Sequence, residues 1–375
     1  MRVGVIGGGQ LARMMVPAAV ALGVEIRVLG EGPDASARIA VTTVGDFTDA
    51  DTVLAFAREV DVITFDHEHV PQTVLAALVD AGVGVRPGPD ALRHAQDKLV
   101  LRRRLDELRV PQPEWAEVRD AAELAGFLER IGGRAVVKTP RGGYDGHGVR
   151  VVERADQADD WLAAGPLLAE EAVPFRRELA QQVARRPSGD VAVYPLVETV
   201  QGGGICREVF APAPRLPAVV ARRAREIAHT VAASLGVTGM LAVELFETED
   251  DRVLVNELAM RPHNSGHWSI DGAVTSQFEQ HLRAVLDLPL GETAARQPWA
   301  AMVNLLGGPA DGDLDALVPR AMADQPAAKL HLYGKAPRPG RKVGHVTAVG
   351  DDLDDAVYAA RAAVALLAGE QTSVS

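Results

Sequence analysis

One cysteine, Cys206, occurs in 375 residues. That excludes an internal disulfide framework and a cysteine-built zinc site, and it suits a reducing compartment, so a cytoplasmic location is expected. No run of about 18 apolar residues occurs, so no membrane-spanning helix is expected. The opening Met1-Arg2-Val3-Gly4-Val5-Ile6-Gly7 has too short an apolar run and too many glycines to read as a secretory signal. Long repeats and low-complexity linkers are also lacking. Positive charge is in deficit, with a formal net charge of −12, which argues against nucleic acid or an acidic membrane as partner. Lysine is scarcer still: only Lys98, Lys138, Lys329, Lys335 and Lys342 among 39 basic residues. Where arginine has been taken whenever either would serve, a surviving lysine is a candidate for a role needing a compact point charge.

What is present is an ordinary globular composition, 47% hydrophobic and 24% charged, in a chain too long for one core. Residues 2–7 predict a strand, Gly7-Gly8-Gly9 a turn, Gln10 to Leu22 an amphipathic helix ending at Gly23, and Glu25 to Leu29 a second strand. With a strand at 60–65 and a helix at 73–81, this reads as an open parallel sheet. Further on, the pattern predicts a basic helix from Ala95 to Leu108 and a long helix from Leu216 to Leu235 between Pro217 and Gly236. A hairpin over 240–258 turns at Glu249-Asp250-Asp251, and a helix spans 278–286. The tail has short strands at 301–306 and 329–333, a basic loop at 336–344 and a final helix from Asp354 to Leu367.

Six groups of residues carry chemistry. Lys138-Thr139-Pro140-Arg141-Gly142-Gly143-Tyr144-Asp145-Gly146-His147-Gly148 follows one apolar run and precedes another. In a P-loop the glycines precede the lysine and a helix follows. Here the order is reversed, so the segment predicts a β-hairpin whose glycine-rich tip and lysine approach phosphates. Gly7-Gly8-Gly9-Gln10-Leu11-Ala12, with Glu31 beyond it, fits either a dinucleotide site or a turn that holds a phosphate or small substrate group. In the 240–258 hairpin, Glu244 is expected across from Asn256 and Glu257. Facing carboxylates repel, so this fits a Mg²⁺ site better than a solvated face. Arg261-Pro262-His263-Asn264-Ser265-Gly266-His267 has two histidines at i, i+4, but the proline and glycine argue against a zinc-binding helix. It suits charge stabilisation or proton handling. Lys335, Arg338, Arg341 and Lys342 fit either a site for a phosphorylated substrate or a basic surface loop. Asp66-His67-Glu68-His69 ends a strand, where a metal site or simple loop capping are the choices. Glu170-Glu171-Ala172-Val173 with Glu178 fits adenine and ribose recognition.

Taken in order, these strings resemble the ATP-grasp superfamily and, within it, the 5-(carboxyamino)imidazole ribonucleotide synthase family, often called PurK. The likeness runs from GGGQLARM through Gln96-Asp97-Lys98, KTPRGGYDGHG, EEAVPFRREL and YPLVE to NELAMRPHNSGHW and YGKAPRPGRKVGH, nearly the whole chain. It implies an α/β protein with an ATP-grasp fold: an N-terminal Rossmann-like open parallel-sheet domain (1–95), an ATP-grasp domain with a glycine-rich lid (96–290) and a small β-rich C-terminal domain (291–375). It implies an ATP-dependent ligase in purine biosynthesis. ATP would phosphorylate bicarbonate to carboxyphosphate, and the amine of 5-aminoimidazole ribonucleotide would capture the carboxyl group or released CO₂. Carried over by position, Lys98, Lys138, Gly143, Tyr144, Asp145, Gly146, His147, Gly148, Glu170, Glu171, Ala172, Val173, Glu178, Gln201, Asn256 and Glu257 would hold ATP. Glu244, Glu257 and Asn256 would hold Mg²⁺, with Mn²⁺ as an alternative. Gly8, Gln10, Leu11, Glu68, His69, Tyr144, Asp145, Arg261, His263, Asn264, Lys335, Arg338 and Arg341 would line the ribonucleotide side. Asp145, Arg261, His263 and Lys335 would be catalytic.

The chain departs from the family pattern at three places. His147 stands where Lys or Arg is usual, which replaces a permanent charge with a titratable one. Ala12 replaces a glycine, and Gln201-Gly202-Gly203-Gly204 replaces a more polar stretch. The partners expected are small molecules and a second copy of the chain in a homodimer, with no nucleic acid and no membrane. The rivals are a sister ligase such as formate-dependent glycinamide ribonucleotide transformylase, a non-catalytic ATP-binding module, and an NAD-dependent oxidoreductase using Gly7 to Ala12. The oxidoreductase leaves Lys138 and the Glu244/Glu257 pair without purpose.

Overall fold

The computed structural model describes residues 1–143, 147–309 and 312–370. The first strand, Arg2–Ile6 (β1), leads through the triple-glycine turn into helix Gln10–Leu22 (α1), which Gly23 closes in the left-handed conformation at φ 64°. Strands Glu25–Gly30 (β2), Val41–Val44 (β3) and Val62–Phe65 (β4) complete a parallel sheet of order β3-β2-β1-β4. Helices Ala50–Ala57 (α2), Gln72–Asp80 (α3) and Pro89–Gln96 (α4) accompany it. Neither β3 nor α2 is predicted from the sequence, because each is short and β3 buries none of its residues.

The single basic helix expected over 95–108 is two helices. Asp97 is extended (φ −134°, ψ 110°), and its carboxylate accepts from the N–H groups of Leu99 and Val100, capping a separate helix Lys98–Glu107 (α5). A side-chain cap replaces the backbone bonds that continuity would have supplied. Lys98 thereby becomes the first residue of a helix rather than one in its middle.

Strands Trp115–Val118 (β5), Ala135–Lys138 (β6), Val149–Val152 (β7) and Leu167–Glu171 (β8) form an antiparallel sheet of order β5-β8-β6-β7, with helices Ala121–Ile131 (α6) and Asp159–Leu162 (α7) between them. Within it, β6 and β7 are the predicted hairpin, with Lys138 paired to Val149. The remaining strands share one large sheet. Phe175–Arg185 (β9), Val191–Val193 (β10), Val197–Gly202 (β11), Ile205–Ala211 (β12), Gly239–Thr248 (β13) and Val253–Ala259 (β14) are joined by Trp299–Leu306 (β15), Lys329–Leu332 (β16) and Lys342–Gly350 (β17). The order is β14-β13-β9-β11-β12-β15-β17-β16, with β10 paired to β9. The C-terminal strands therefore extend the same sheet through the β12–β15 pairing. Helices Ala218–Ser234 (α8), Ser269–Gly272 (α9), Gln277–Val285 (α10), Val318–Asp324 (α11) and Leu353–Leu367 (α12) pack around it. Lys342, expected in the basic loop, instead opens β17 opposite Leu306.

One apolar core runs from Ile6, Phe65 and Leu78 of the N-terminal sheet through Leu101 and Leu105 of α5 to Leu245 and Val255 of the large sheet. That shared core fixes the N-terminal domain against the β13–β14 hairpin.

Candidate active site

Lys138 ends β6, and its Nζ lies 2.7 Å from Glu170 Oε2 and 3.1 Å from Asn256 Oδ1. Glu170 stands opposite Val136 in the register of β6 and β8, and its other oxygen accepts from Arg102 Nε at 2.6 Å. Arg102 is fully buried and also donates to the carbonyls of Val255 (2.9 Å) and Asn256 (2.7 Å). Burial alone would raise the Glu170 carboxyl, but the two cations outweigh it and hold it down at about 2. Arg102 and Lys138 together exceed the one charge of Glu170 by one, and that excess is carried at Lys138, facing a narrow cavity. Lys98, Asn256 and Glu257 line the same cavity, and Lys98 Nζ lies 3.9 Å from Glu257.

Facing this cationic corner is a set of carboxylates. Glu244 pairs directly with Glu257, and a bulge after Glu244 brings Leu245 opposite Val255, leaving Asn256 between the paired positions. Glu178 of β9 lies diagonally across from Glu244, on the same face of the sheet. Burial, then Glu257 and Glu178, push the Glu244 carboxyl well above the usual range. Burial likewise pushes Glu178 up to about 7 against the pull of Lys138. Carboxylates so arranged are short of positive charge.

His263 abuts this set, its Nε2 3.3 Å from Glu244 Oε1. Its Nδ1 accepts from the Ser265 N–H (3.4 Å) and stands 2.8 Å from Ser265 Oγ. Nδ1 is therefore the acceptor and Nε2 bears the proton. Gln182 Nε2 donates in turn to Ser265 Oγ at 2.7 Å. Burial, with Arg261 and Lys342 nearby, holds the imidazole well below its ordinary value, so the ring is neutral. Gln277, wholly buried, clamps the turn: its Oε1 accepts from His263 N and its Nε2 donates to His263 O and His267 Nδ1, each at 2.8 Å. The His263 and His267 rings thus have separate partners, and among the described residues no three His, Cys, Asp or Glu side chains form a ready-made metal cage.

On the N-terminal side, Arg261 Nε donates to Glu68 Oε2 at 2.7 Å, while Glu68 Oε1 accepts from Met260 N. Lys335 Nζ donates to Gln10 Oε1. The glycine turn is closed to a pyrophosphate. Asp66 Oδ1 accepts from Ala12 N at 2.8 Å, and a Cβ at Gly9 would sit 1.9 Å from Asp66 Oδ2. A protein carboxylate already occupies the first turn of α1, where a dinucleotide would place its phosphates. Glu31, the would-be ribose ligand, lies 3.7 Å from His67 instead. His67 and His69 stack at 5.3 Å, and His67 Nδ1 accepts from His69 N, so the His67 ring caps its own loop.

Several sequence-derived residues converge here: Lys98, Lys138, Glu178, Glu244, Asn256 and Glu257 at one end with His263 against Glu244, and Gln10, Glu68, Arg261 and Lys335 at the other. Others stand differently. The Leu11 side chain is buried in the core beneath α1, leaving only its backbone toward the turn. Glu170 and Glu68 have their oxygens engaged by Lys138, Arg102 and Arg261. Glu171, Ala172 and Val173 are partly exposed where β8 ends. Gln201 pairs with Cys206 beside a bulge, and Gly203 and Gly204 turn the chain at positive φ. Asn264 lies in the turn that Gln277 holds. Arg338 and Arg341 are exposed, and Arg341 donates to Ala336 O at 3.2 Å. Gly143 packs against the carbonyl of His147, with Gly148 at φ 71° beside it, while Tyr144, Asp145 and Gly146 lie outside the described residues. Sequence reasoning gave no site role to Arg102, Gln182, Ser265 or Gln277; Ser265 lies inside the 261–267 string, but the other three stand in no site motif. A wider depression lined by Tyr194, Leu196, Pro212 and Leu216 lies on the other face of β9 and carries no convergent carboxylates.

The sequence matches three domain families in succession: the ribonucleotide synthetase preATP-grasp domain over residues 1–96, the ATP-grasp domain over 103–278, and the phosphoribosylaminoimidazole carboxylase C-terminal domain over 300–358. It is 52% identical over 360 residues to N5-carboxyaminoimidazole ribonucleotide synthase of Mycobacterium tuberculosis, covering 94% of this chain and 84% of that one. The enzyme of the same name from Synechococcus elongatus is 42% identical, over 92% of this chain and 88% of its own. Among solved structures, N5-carboxyaminoimidazole ribonucleotide synthetase from Thermus thermophilus superposes with a TM-score of 0.88 at 38% identity, covering 99% of both chains. The Aspergillus clavatus synthase in complex with ADP and 5-aminoimidazole ribonucleotide gives a TM-score of 0.88 at 34% identity, covering 98% of both.

Proposed function

Because this chain belongs to the N5-carboxyaminoimidazole ribonucleotide synthase family of ATP-grasp ligases, we infer that it carboxylates 5-aminoimidazole ribonucleotide with ATP and bicarbonate in purine biosynthesis. The products are N5-carboxyaminoimidazole ribonucleotide, ADP and phosphate. The observation that carries the assignment of its site is the opposition of Lys138, braced by Glu170 and Arg102, to the Glu178, Glu244 and Glu257 carboxylates. Lys98 and Lys138 hold the nucleotide phosphates as point charges. Glu244 and Glu257, with Asn256, would hold Mg²⁺. The fit rests on the raised Glu244 carboxyl, which Glu257 faces directly, and on a donor set too small to cage a cation unaided. When bound, Mg²⁺ neutralises charge on the transferring phosphoryl group.

A bicarbonate oxygen attacks the γ-phosphorus, ADP departs, and carboxyphosphate remains. The ribonucleotide amine then attacks its carboxyl carbon, or the CO₂ it releases, and phosphate leaves. Arg261, oriented by Glu68, and Lys335, held by Gln10, flank the anionic intermediate and the ribonucleotide. His263 presents its Nε2–H toward the carboxylates and donates a hydrogen bond without carrying a charge. Asp145 orients the attacking amine. Carboxyphosphate is short-lived in water, so enclosure by the lid serves the second step. The chain acts in the cytoplasm as a homodimer. No helix among the described residues is long and apolar enough to cross a membrane.

The test is ADP release from Mg-ATP and bicarbonate with and without 5-aminoimidazole ribonucleotide. Stimulation by the ribonucleotide is expected, and its absence overturns the reading. Stimulation only by formate with glycinamide ribonucleotide would identify the sister ligase. Glu257→Gln is expected to abolish turnover with the melting temperature little changed. Retained turnover removes Glu257 from the metal site.

A further inference from the structure

Three consecutive carbonyls, of the last residue of β16 and the two that follow it, accept hydrogen bonds from the N-terminal domain. Arg13 Nε donates to Leu332 O (3.2 Å), Ser36 Oγ to Tyr333 O (2.6 Å) and Arg38 Nη1 to Gly334 O (3.0 Å). The partners are 319, 297 and 296 residues apart in sequence. The donors are themselves linked, since Arg13 Nη1 also donates to Ser36 O at 3.0 Å. Ala37 N donates to Gly8 O at 2.9 Å, so the loop that carries Ser36 is fastened to the glycine turn. From the other side, the buried Tyr333 places its hydroxyl 2.7 Å from His345 Nδ1. Lys335 follows directly on Gly334, and its Nζ returns to Gln10 on the helix that bears Arg13.

Carbonyls leaving a sheet ladder need partners, and at a surface water serves. Here side chains of another domain supply all three, at the backbone that sets where Lys335 begins. Gly334 has φ 64°, and a Cβ there would lie 3.2 Å from Arg38 and 3.3 Å from Arg13, so the clamp also requires this glycine.

We propose that Arg13, Ser36 and Arg38 are positioning residues that lock Lys335 onto the N-terminal half of the ribonucleotide site. Two domains then enclose that substrate as one frame. The inference rests on the reading of Lys335 as a substrate-facing residue.

Steady-state kinetics in saturating bicarbonate test it with Arg13→Ala, Arg38→Ala, Lys335→Ala and the double variant Arg13→Ala/Lys335→Ala. Misplacing a reacting group by about 1 Å costs about a hundredfold in rate. Arg13→Ala is therefore expected to lower kcat/KM for the ribonucleotide by about 10- to 100-fold, with the KM for ATP unchanged. If it acts through Lys335, the double variant is no worse than Lys335→Ala alone. Effects that multiply, or a loss shared equally with ATP, overturn the clamp. Should Arg13→Ala fail to fold, Arg38→Ala removes one exposed bond and is expected to cost about threefold, with Arg38→Lys restoring it. An unchanged ribonucleotide kcat/KM in Arg38→Ala then overturns the clamp. An impaired Lys335→Ala beside an unimpaired Arg13→Ala also overturns the clamp alone. Full activity in Lys335→Ala overturns the role of Lys335 and the clamp with it.

Discussion

Glu170 shows how much one buried carboxylate can decide. It holds Lys138 at the cavity and neutralises Arg102, which in turn holds the backbone of Val255 and Asn256. Replacing it with Gln strands two buried cations, so Glu170→Gln is expected to cost about 3–5 kcal/mol at neutral pH, measured by urea unfolding. The pH course has a definite sign. The folded carboxyl sits at about 2 against an ordinary 4.5, so its contribution is complete above 4.5 and is lost as pH falls toward 2. The stability gap between wild type and Glu170→Gln should narrow across that window. Glu178 behaves oppositely. Its folded carboxyl is raised to about 7, so its contribution is present below 4.5 and is lost as pH rises through 7. The melting temperature without nucleotide should therefore decline between pH 5 and pH 8, and Glu178→Gln should flatten that decline. Mg-ATP should flatten it too, by supplying the missing cation. A wild-type curve indifferent to Mg-ATP would separate Glu178 from the nucleotide site.

At the scale of elements, the turn after β14 matters most. Pro262 and Gly266 keep 261–267 out of a regular helix, and Gln277 at the start of α10 holds it through the backbone and His267. Gly266 is necessary because a Cβ there would stand 2.4 Å from Gln277 Oε1. Gly266→Ala is expected to displace Gln277 and with it His263. Turnover should fall by about tenfold or more, while stability falls by about 1–3 kcal/mol. Parallel rate and unfolding measurements would check the split. The hairpin β13–β14 was legible beforehand, because an acidic turn at 249–251 fixes which residues face each other. The break at Asp97 was not. Apolar spacing continues through it, and only the cap formed with Leu99 and Val100 stops the helix.

Across the whole molecule, the nine-stranded sheet ties the C-terminal strands to the nucleotide-binding ones. Cutting the chain after residue 298 would remove β15 to β17 and leave the β12 edge, Glu208 to Ala211, without its partner. Such a chain is expected to be insoluble or to bind a hydrophobic dye strongly, as an unpaired edge beside exposed core would. A soluble, cooperatively folding fragment would show that the sheet is divisible at β12. The sequence by itself determined the family, the reaction, the Lys138 hairpin and the facing of Glu244 and Glu257, because each rests on residues close in the chain or on strand register. Tertiary structure alone decided the rest. Asp66 fills the turn that resembles a dinucleotide site, Glu170 and Glu68 serve as braces, and Arg13, Ser36 and Arg38 reach Lys335. Spacing along a chain records local geometry, whereas a brace joins residues some 70 to 320 positions apart and exists only once the sheets have met.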